Sequence, residues 1–197
     1  MSNQKFVPAL AALLLSAGLA SAQDAAAPTT EAPAAEAPAM TTAGPDLSAL
    51  GGAFRAQVEG ADGTSHGTVT VQPTPSGVSV VTLDLQNLPQ GVVAVHLHET
   101  GACEGPDFKS AGGHLAMEGQ EHGVLFEGGP HAGDLPNLHV PESGEIMAEH
   151  FVADLTPEIL DDDDGTGFII HAQADDYESQ PAGDAGDRIA CGVLTAE

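Results

Sequence analysis

Basic residues are almost missing from this sequence. Four of 197 residues are Lys or Arg, against 29 Asp or Glu, and the formal net charge is −25. A chain with so little positive charge cannot neutralise phosphates, so nucleic acid is excluded as a partner. An anionic membrane surface is disfavoured on the same ground. The acidic balance is read as serving solubility in a salty or acidic compartment. Also missing is any window with a 3.6-residue apolar stripe of helical length, which argues against a helical bundle. There is no internal repeat. Cysteine is scarce too: Cys103 and Cys191 permit one disulfide at most, closing a loop across most of the second half of the chain.

What is present begins with an apolar run, FVPALAALLLSAGLA, directly after Lys5. The run is too short and too rich in small residues for a comfortable membrane span. It ends in Ala20-Ser21-Ala22, an A-x-A cleavage pattern. Residues 1–22 are therefore expected to be a secretory signal peptide, and the protein to be exported to a periplasm or the extracellular space, where disulfides form. No membrane span is expected in the mature form. Residues 23–46 contain almost only Ala, Pro, Thr and acids. They can bury too little apolar area to offset chain ordering and are expected to be a disordered tether. Residues 47–197 have the length of a single folded domain.

Within that domain, short runs rich in β-branched residues alternate with Gly, Pro, Asp and Asn. Strands are predicted over 53–59, 67–72, 78–85, 92–98, 138–140, 145–152, 167–172 and 189–194. Eight short strands with turn signals between them indicate an all-β sandwich or barrel. Two connections, 99–137 and 173–187, are far too long for hairpins, and structureless loops of that length are usually functional.

The longer connection carries the chemistry. Five of the nine histidines fall between Ala94 and Asp134: His96, His98, His114, His122 and His131. His96 and His98 end an apolar run, GVVAVHLH, and residues two apart on a strand point to one face. Two imidazoles so placed are half of a copper or zinc site. The rest of the stretch is rich in Gly, Pro and His, and a core cannot order it. Metal ligation and a disulfide are the candidates that can.

The motifs HLHETG, KSAGGH, HAGDLPN and AGDAGDRIACG together resemble the exported bacterial copper,zinc superoxide dismutases, over roughly residues 53–194. The resemblance implies an eight-stranded antiparallel Greek-key barrel, a sandwich related in architecture to immunoglobulin domains. It implies copper held by His96, His98, His114 and His171, and zinc held by His114, His122, His131 and Asp134, with His114 shared. Imidazole suits both oxidation states of copper, and three imidazoles with one carboxylate fill a tetrahedral zinc site, leaving no position for water. Asp175 is implied to accept N–H bonds from His96 and His122, and Arg188 to guide the substrate anion. A Cys103–Cys191 disulfide is implied to tie the ligand loop to the last strand. His66, His139 and His150 match no ligand position and are read as surface or edge histidines. The Asp161–Asp164 run lacks the pattern of a calcium loop and is read as a solvated turn.

The activity implied is dismutation of superoxide, with His114 taking up a proton and passing it to the forming peroxide. Two departures stand out: LAME follows His114 where many relatives have a proline-containing turn, and only Lys109 and Arg188 offer positive charge near the copper. Two other functions remain in view. One is an exported copper- or zinc-binding protein without turnover, which would need neither Arg188 nor a shared histidine. The other is a zinc hydrolase, for which no general base is visible. The sequence leaves the oligomeric state open between monomer and homodimer.

Overall fold

The computed structural model describes residues 47–197, and the expected signal peptide and tether lie outside the described residues. Ten strands occur among the described residues: β1 (Phe54–Gly60), β2 (Ser65–Gln72), β3 (Val78–Leu85), β4 (Gly91–Val93), β5 (Val95–His98), β6 (Leu138–Val140), β7 (Ile146–Ala153), β8 (Gly167–His171), β9 (Arg188–Val193) and β10 (Thr195–Ala196). The one α-helix among the described residues, α1 (Pro157–Leu160), is a single turn. The main sheet is antiparallel with strand order β5-β8-β9-β1-β2-β3-β7, and β10 pairs with the start of β1. β4 leaves that sheet to pair with β6. The expected eight-stranded antiparallel Greek-key barrel is present, if β4 and β5 are counted as halves of one strand and the two-residue β10 is set aside. The Greek-key crossover is made where the chain leaves β3 for β4, β5 and β6 and returns as β7 to pair beside β3.

The strand predicted over 92–98 breaks at Ala94. The reason is tertiary: the Ala94 carbonyl accepts from the His171 N–H (2.9 Å), in line with the β5–β8 pairing, but the Ala94 N–H donates to the carbonyl of Gln173 (2.8 Å), beyond the end of β8, and the residues before it turn away to pair with β6. The turn α1 and strand β10 were not predicted, being too short to carry a periodic signal.

Burial separates two kinds of strand. β1 and β7 alternate between inward and outward side chains, as expected for a sheet with one face on the core and one in water. β5 and β8 are buried at every residue. One face of these two strands sends Val95, Leu97, Phe168 and Ile170 into the main core with Phe54, Val69 and Leu83. Their other face is covered by the long loops, and there Ile169 packs with Phe108, Ala111 and Cys191 in a second, small apolar cluster. This accounts for the unbroken apolar runs GVVAVHLH and GFIIHA: a strand covered on both sides has no exposed face to make polar. The Cys103–Cys191 disulfide is formed, with a Cα–Cα distance of 5.7 Å, and it fastens the ligand loop to β9 beside that small cluster.

Candidate metal centre

β5 and β8 set the first three histidines by register. His96 lies opposite Ile169 and His98 opposite Gly167, and directly opposed residues of an antiparallel pair share a face. His171 is two residues beyond Ile169, so it joins His96 and His98 on the loop-covered side. The other edge of β5 pairs with the ligand loop instead of a strand, through bridges His98–His114 and His96–Asp134. Backbone bonds hold these crossings: the Leu115 N–H to the Leu97 carbonyl (2.9 Å), the Glu99 N–H to the Gly113 carbonyl (3.0 Å) and the Leu97 N–H to the Gly133 carbonyl (2.9 Å), while the Gly133 N–H to the Leu115 carbonyl (2.8 Å) ties the loop to itself. Leu115, the first residue of the LAME sequence, is buried in the main core.

The result is two groups of ligand atoms, His96/His98/His114/His171 and His114/His122/His131/Asp134, in each of which the atoms lie within 4.8 Å of one another. Every sequence-predicted ligand is in one of the groups, and His114 is in both.

Each imidazole of the first group has one nitrogen engaged and one bare. His96 Nε2 donates to Asp175 Oδ2 (2.8 Å), His98 Nδ1 to the Gly112 carbonyl (3.1 Å), and His171 Nδ1 to the Gly186 carbonyl (3.4 Å). Because these partners can only accept, the proton of the neutral ring sits on the engaged nitrogen. The remaining atoms, His96 Nδ1, His98 Nε2 and His171 Nε2, are buried lone pairs without a partner, and so is His114 Nε2. Four buried acceptors converging with nothing to donate to them is the condition a soft-tolerant cation satisfies. Burial, with smaller contributions from neighbouring positive charge, lowers the pKa of His98 to about 2 and of His171 to about 3, so both stay neutral and free to ligate.

The second group gives a sharper test. His122 Nε2 donates to Asp175 Oδ1 (3.0 Å), which leaves Nδ1 as an acceptor. That Nδ1 lies 3.0 Å from Asp134 Oδ2, another acceptor, and without hydrogen-bond geometry. Two buried acceptors at this distance repel unless a cation lies between them. Asp134 Oδ1 is also 2.8 Å from His114 Nδ1 and 3.2 Å from His131 Nδ1. Ligands of a tetrahedral zinc stand about 3.3 Å apart, given metal–ligand bonds of about 2.0 Å, so the donor set and its spacing fit zinc.

Asp134 and Asp175 are held ionised. Burial of Asp175 works to raise its pKa, but bonds from His96, the Tyr177 N–H and His122 together pull it down to about 2. Asp134 likewise resists burial, through His114 and the Gly123 N–H, and sits well below the ordinary carboxylate range. His114 is lowered to about 4, mainly by burial and against the pull of Asp134.

Arg188 opens β9, its Nη1 donating to the Phe108 carbonyl (2.8 Å) and its Nη2 to the Gly112 carbonyl (2.7 Å). Gly112 thus anchors both the arginine and His98, a role the sequence did not disclose because it belongs to a backbone oxygen. Glu99 was also unassigned; its Oε1 accepts the Gly113 N–H (2.8 Å) and so supports the turn before His114. Lys109 pairs with Asp107 at 2.9 Å, so its charge is largely spent locally. His139 is exposed, but His66 departs from its expected surface setting: it is buried, with Nδ1 3.1 Å from the Gln86 carbonyl. The acidic run 161–164 is exposed and forms a turn in which Asp162 Oδ1 accepts the Asp164 and Gly165 N–H groups.

Residues 65–194 match the family model described as copper/zinc superoxide dismutase. A Cu-Zn superoxide dismutase of Aquifex aeolicus is 41% identical over 145 residues, covering 71% of this chain and 85% of that protein. One of Caulobacter vibrioides is 41% identical over 147 residues, covering 71% and 83%. Among solved structures, a superoxide dismutase-like protein from Bacillus subtilis aligns with a TM-score of 0.68 at 34% identity, over 72% of this chain and 99% of that one. With a model matching most of the described residues and relatives of this identity, the chain belongs to the copper/zinc superoxide dismutase family.

Proposed function

We propose that the protein converts two superoxide anions and two protons into dioxygen and hydrogen peroxide, with copper held by His96, His98, His114 and His171, and zinc by His114, His122, His131 and Asp134. The observation that carries this reading is His114, whose Nε2 is bare among the first group while its Nδ1 faces the carboxylate of the second. When bound, copper supplies one-electron redox chemistry and zinc supplies fixed positive charge.

The chain's own residues do the rest. Arg188 has five N–H donors, of which two are committed to carbonyls; the others remain to hold a small anion. Its guanidinium is fixed before the substrate arrives, which is the condition for electrostatic stabilisation without reorganisation. His114 Nε2 is the atom placed to take up a proton and release it to peroxide. Asp175 holds His96 and His122 in one tautomer through its two oxygens, linking the two groups. A storage protein would require neither Arg188 nor a histidine common to both groups.

The formed disulfide and the A-x-A leader support export, since structural disulfides persist in oxidising compartments. A mature N-terminus at Gln23, read by protein sequencing, would agree with this.

The test of function is superoxide decay with the metal-replete protein against the metal-free protein. Rapid decay only in the former is expected, with one copper and one zinc per chain by elemental analysis. His131→Ala or Asp134→Ala should lose zinc and keep copper. Equal loss of both metals would overturn the ligand assignment, and full metal content without turnover would leave a binding protein.

A further inference from the structure

Two primary amides grip the backbone of the metal centre in the same way. Gln180 Oε1 accepts the His122 N–H (2.9 Å) while its Nε2 donates to the His122 carbonyl (2.7 Å) and the Glu178 carbonyl (3.1 Å). Asn137 Oδ1 accepts the Asp175 N–H (2.9 Å) while its Nδ2 donates to the Asp175 carbonyl (2.8 Å). The arrangement is reciprocal. Asn137 ends the ligand loop and grips the loop after β8; Gln180 belongs to the loop after β8 and grips the ligand loop. Between the two grips runs the His122 Nε2–Asp175 Oδ1 bond.

A primary amide is the one side chain that offers a donor and an acceptor with the spacing of a peptide group, so it can pair both polar groups of a single residue. Neither His122 nor Asp175 lies in a strand, so no ladder orients them. Fixing both backbone groups of a residue fixes the plane of its backbone and thereby the direction of its side chain. The space around them is closed as well. A Cβ on Gly183 would collide with the Asp175 carboxylate and lie 2.6 Å from His122 Nε2. Tyr177 adds a brace, its hydroxyl accepting the Asn137 N–H (2.8 Å).

We propose that Gln180 and Asn137 are positioning residues for the zinc group, Gln180 acting through His122 and Asn137 through Asp175. The proposal rests on the reading of the second group as the zinc site. The two residues differ in reach. His122 belongs to the zinc group alone, whereas Asp175 also holds His96 of the copper group. Gln180 therefore tunes zinc without copper, and Asn137 tunes both.

The test uses chelator competition for Zn(II) and for Cu(II), together with the visible absorption of Co(II) bound in place of zinc, on the full mature protein. Loss of a group that orients a ligand costs about 10–100-fold in metal affinity. Gln180→Leu is expected to weaken Zn(II) by that factor, to alter the Co(II) bands, and to leave Cu(II) affinity unchanged. Gln180→Glu, which keeps the acceptor for the His122 N–H and loses the donor, is expected to fall between parent and Gln180→Leu and serves if the leucine variant does not fold. Asn137→Leu is expected to weaken both Zn(II) and Cu(II), and parent-like affinity for both would overturn the part of the proposal that rests on Asn137. Parent-like Zn(II) affinity and Co(II) bands in both Gln180 variants would overturn the proposal. So would equal weakening of both metals in Gln180→Leu or Gln180→Glu, which marks general loosening. If the parent itself binds neither Zn(II) nor Co(II) at the histidines, it is the zinc reading that fails.

Discussion

Each imidazole has two nitrogens, and in this centre the protein decides which one is available by what it places against the other. His96 and His122 are fixed by a carboxylate, His98 and His171 by backbone carbonyls. The carbonyls are neutral, so His98 and His171 gain little that would favour a proton on the second nitrogen, and burial dominates their titration. This has a consequence for the metal-free protein. The folded-state pKa values of His98, His114 and His171, about 2, 4 and 3, lie below the ordinary value of 6.5. The unfolded chain therefore binds more protons than the folded one below that value, and stability falls as pH falls. The contribution is fully present above pH 6.5 and is lost progressively toward pH 4 and below. Asp134 and Asp175, both lowered, act in the same direction at the acid end. Chemical denaturation of chelated protein should show the midpoint nearly level from pH 8 to about pH 6.5 and dropping steadily from there to pH 4. A flat profile would mean that the histidine pocket opens to water once the metals leave.

Of the elements, the long ligand loop owes its shape least to its own sequence pattern. It is fastened at three places: by backbone bridges to β5, by the disulfide to β9, and by the paired amides to the loop after β8. The disulfide closes 88 residues of sequence, and a loop of this size is worth up to about 4–5 kcal/mol in the chain-entropy model. Cys103→Ser is expected to lower the melting temperature by on the order of 10 °C. It should also weaken Arg188 anchoring, because Phe108, whose carbonyl holds the arginine, packs in the small cluster with Cys191. Calorimetry of the variant against the parent checks this, and an unchanged melting temperature would remove the loop-closure argument. The strands were legible in the sequence because alternation or an unbroken apolar run records how many faces are covered, and β3, β6 and the body of β8 stand where the pattern put them. The seven residues of the two groups were legible through the resemblance and through the His-x-His spacing on β5. The break at Ala94 was not, because it is made by Gln173 and by the departure of β4 to β6. Nor were the grips of Gln180 on His122 and Asn137 on Asp175, which join residues 58 and 38 apart: an amide in a loop carries no periodicity to read.

The molecule as a whole presents its substrate with a contradiction. Superoxide is an anion, and the chain carries 29 acidic residues against four basic ones, so the global field repels it. The local field near His96, His98, His114 and His171 is different, but it depends on very little. Lys109 is mostly exposed and already paired with Asp107, while Arg188 is partly buried and bound to two carbonyls beside His98. Arg188 is thus the principal positive charge at the centre among the described residues. At physiological ionic strength the Debye length is about 8 Å, so remote carboxylates are screened while a group lining the channel is not. The two fields respond oppositely to salt, since screening repulsion raises the encounter rate and screening attraction lowers it. With one unpaired guanidinium against many distant acids, repulsion should govern at low salt. Superoxide decay measured from about 10 mM salt, where the Debye length is about 30 Å, should first accelerate or stay level as salt is added. Arg188→Glu should lower the rate far more than neutralising any single remote acid, with copper content preserved. A steep monotonic fall with salt in the parent would show that attraction at the channel outweighs the global charge. Unchanged activity in fully loaded Arg188→Glu would show that the anion reaches the centre without the arginine.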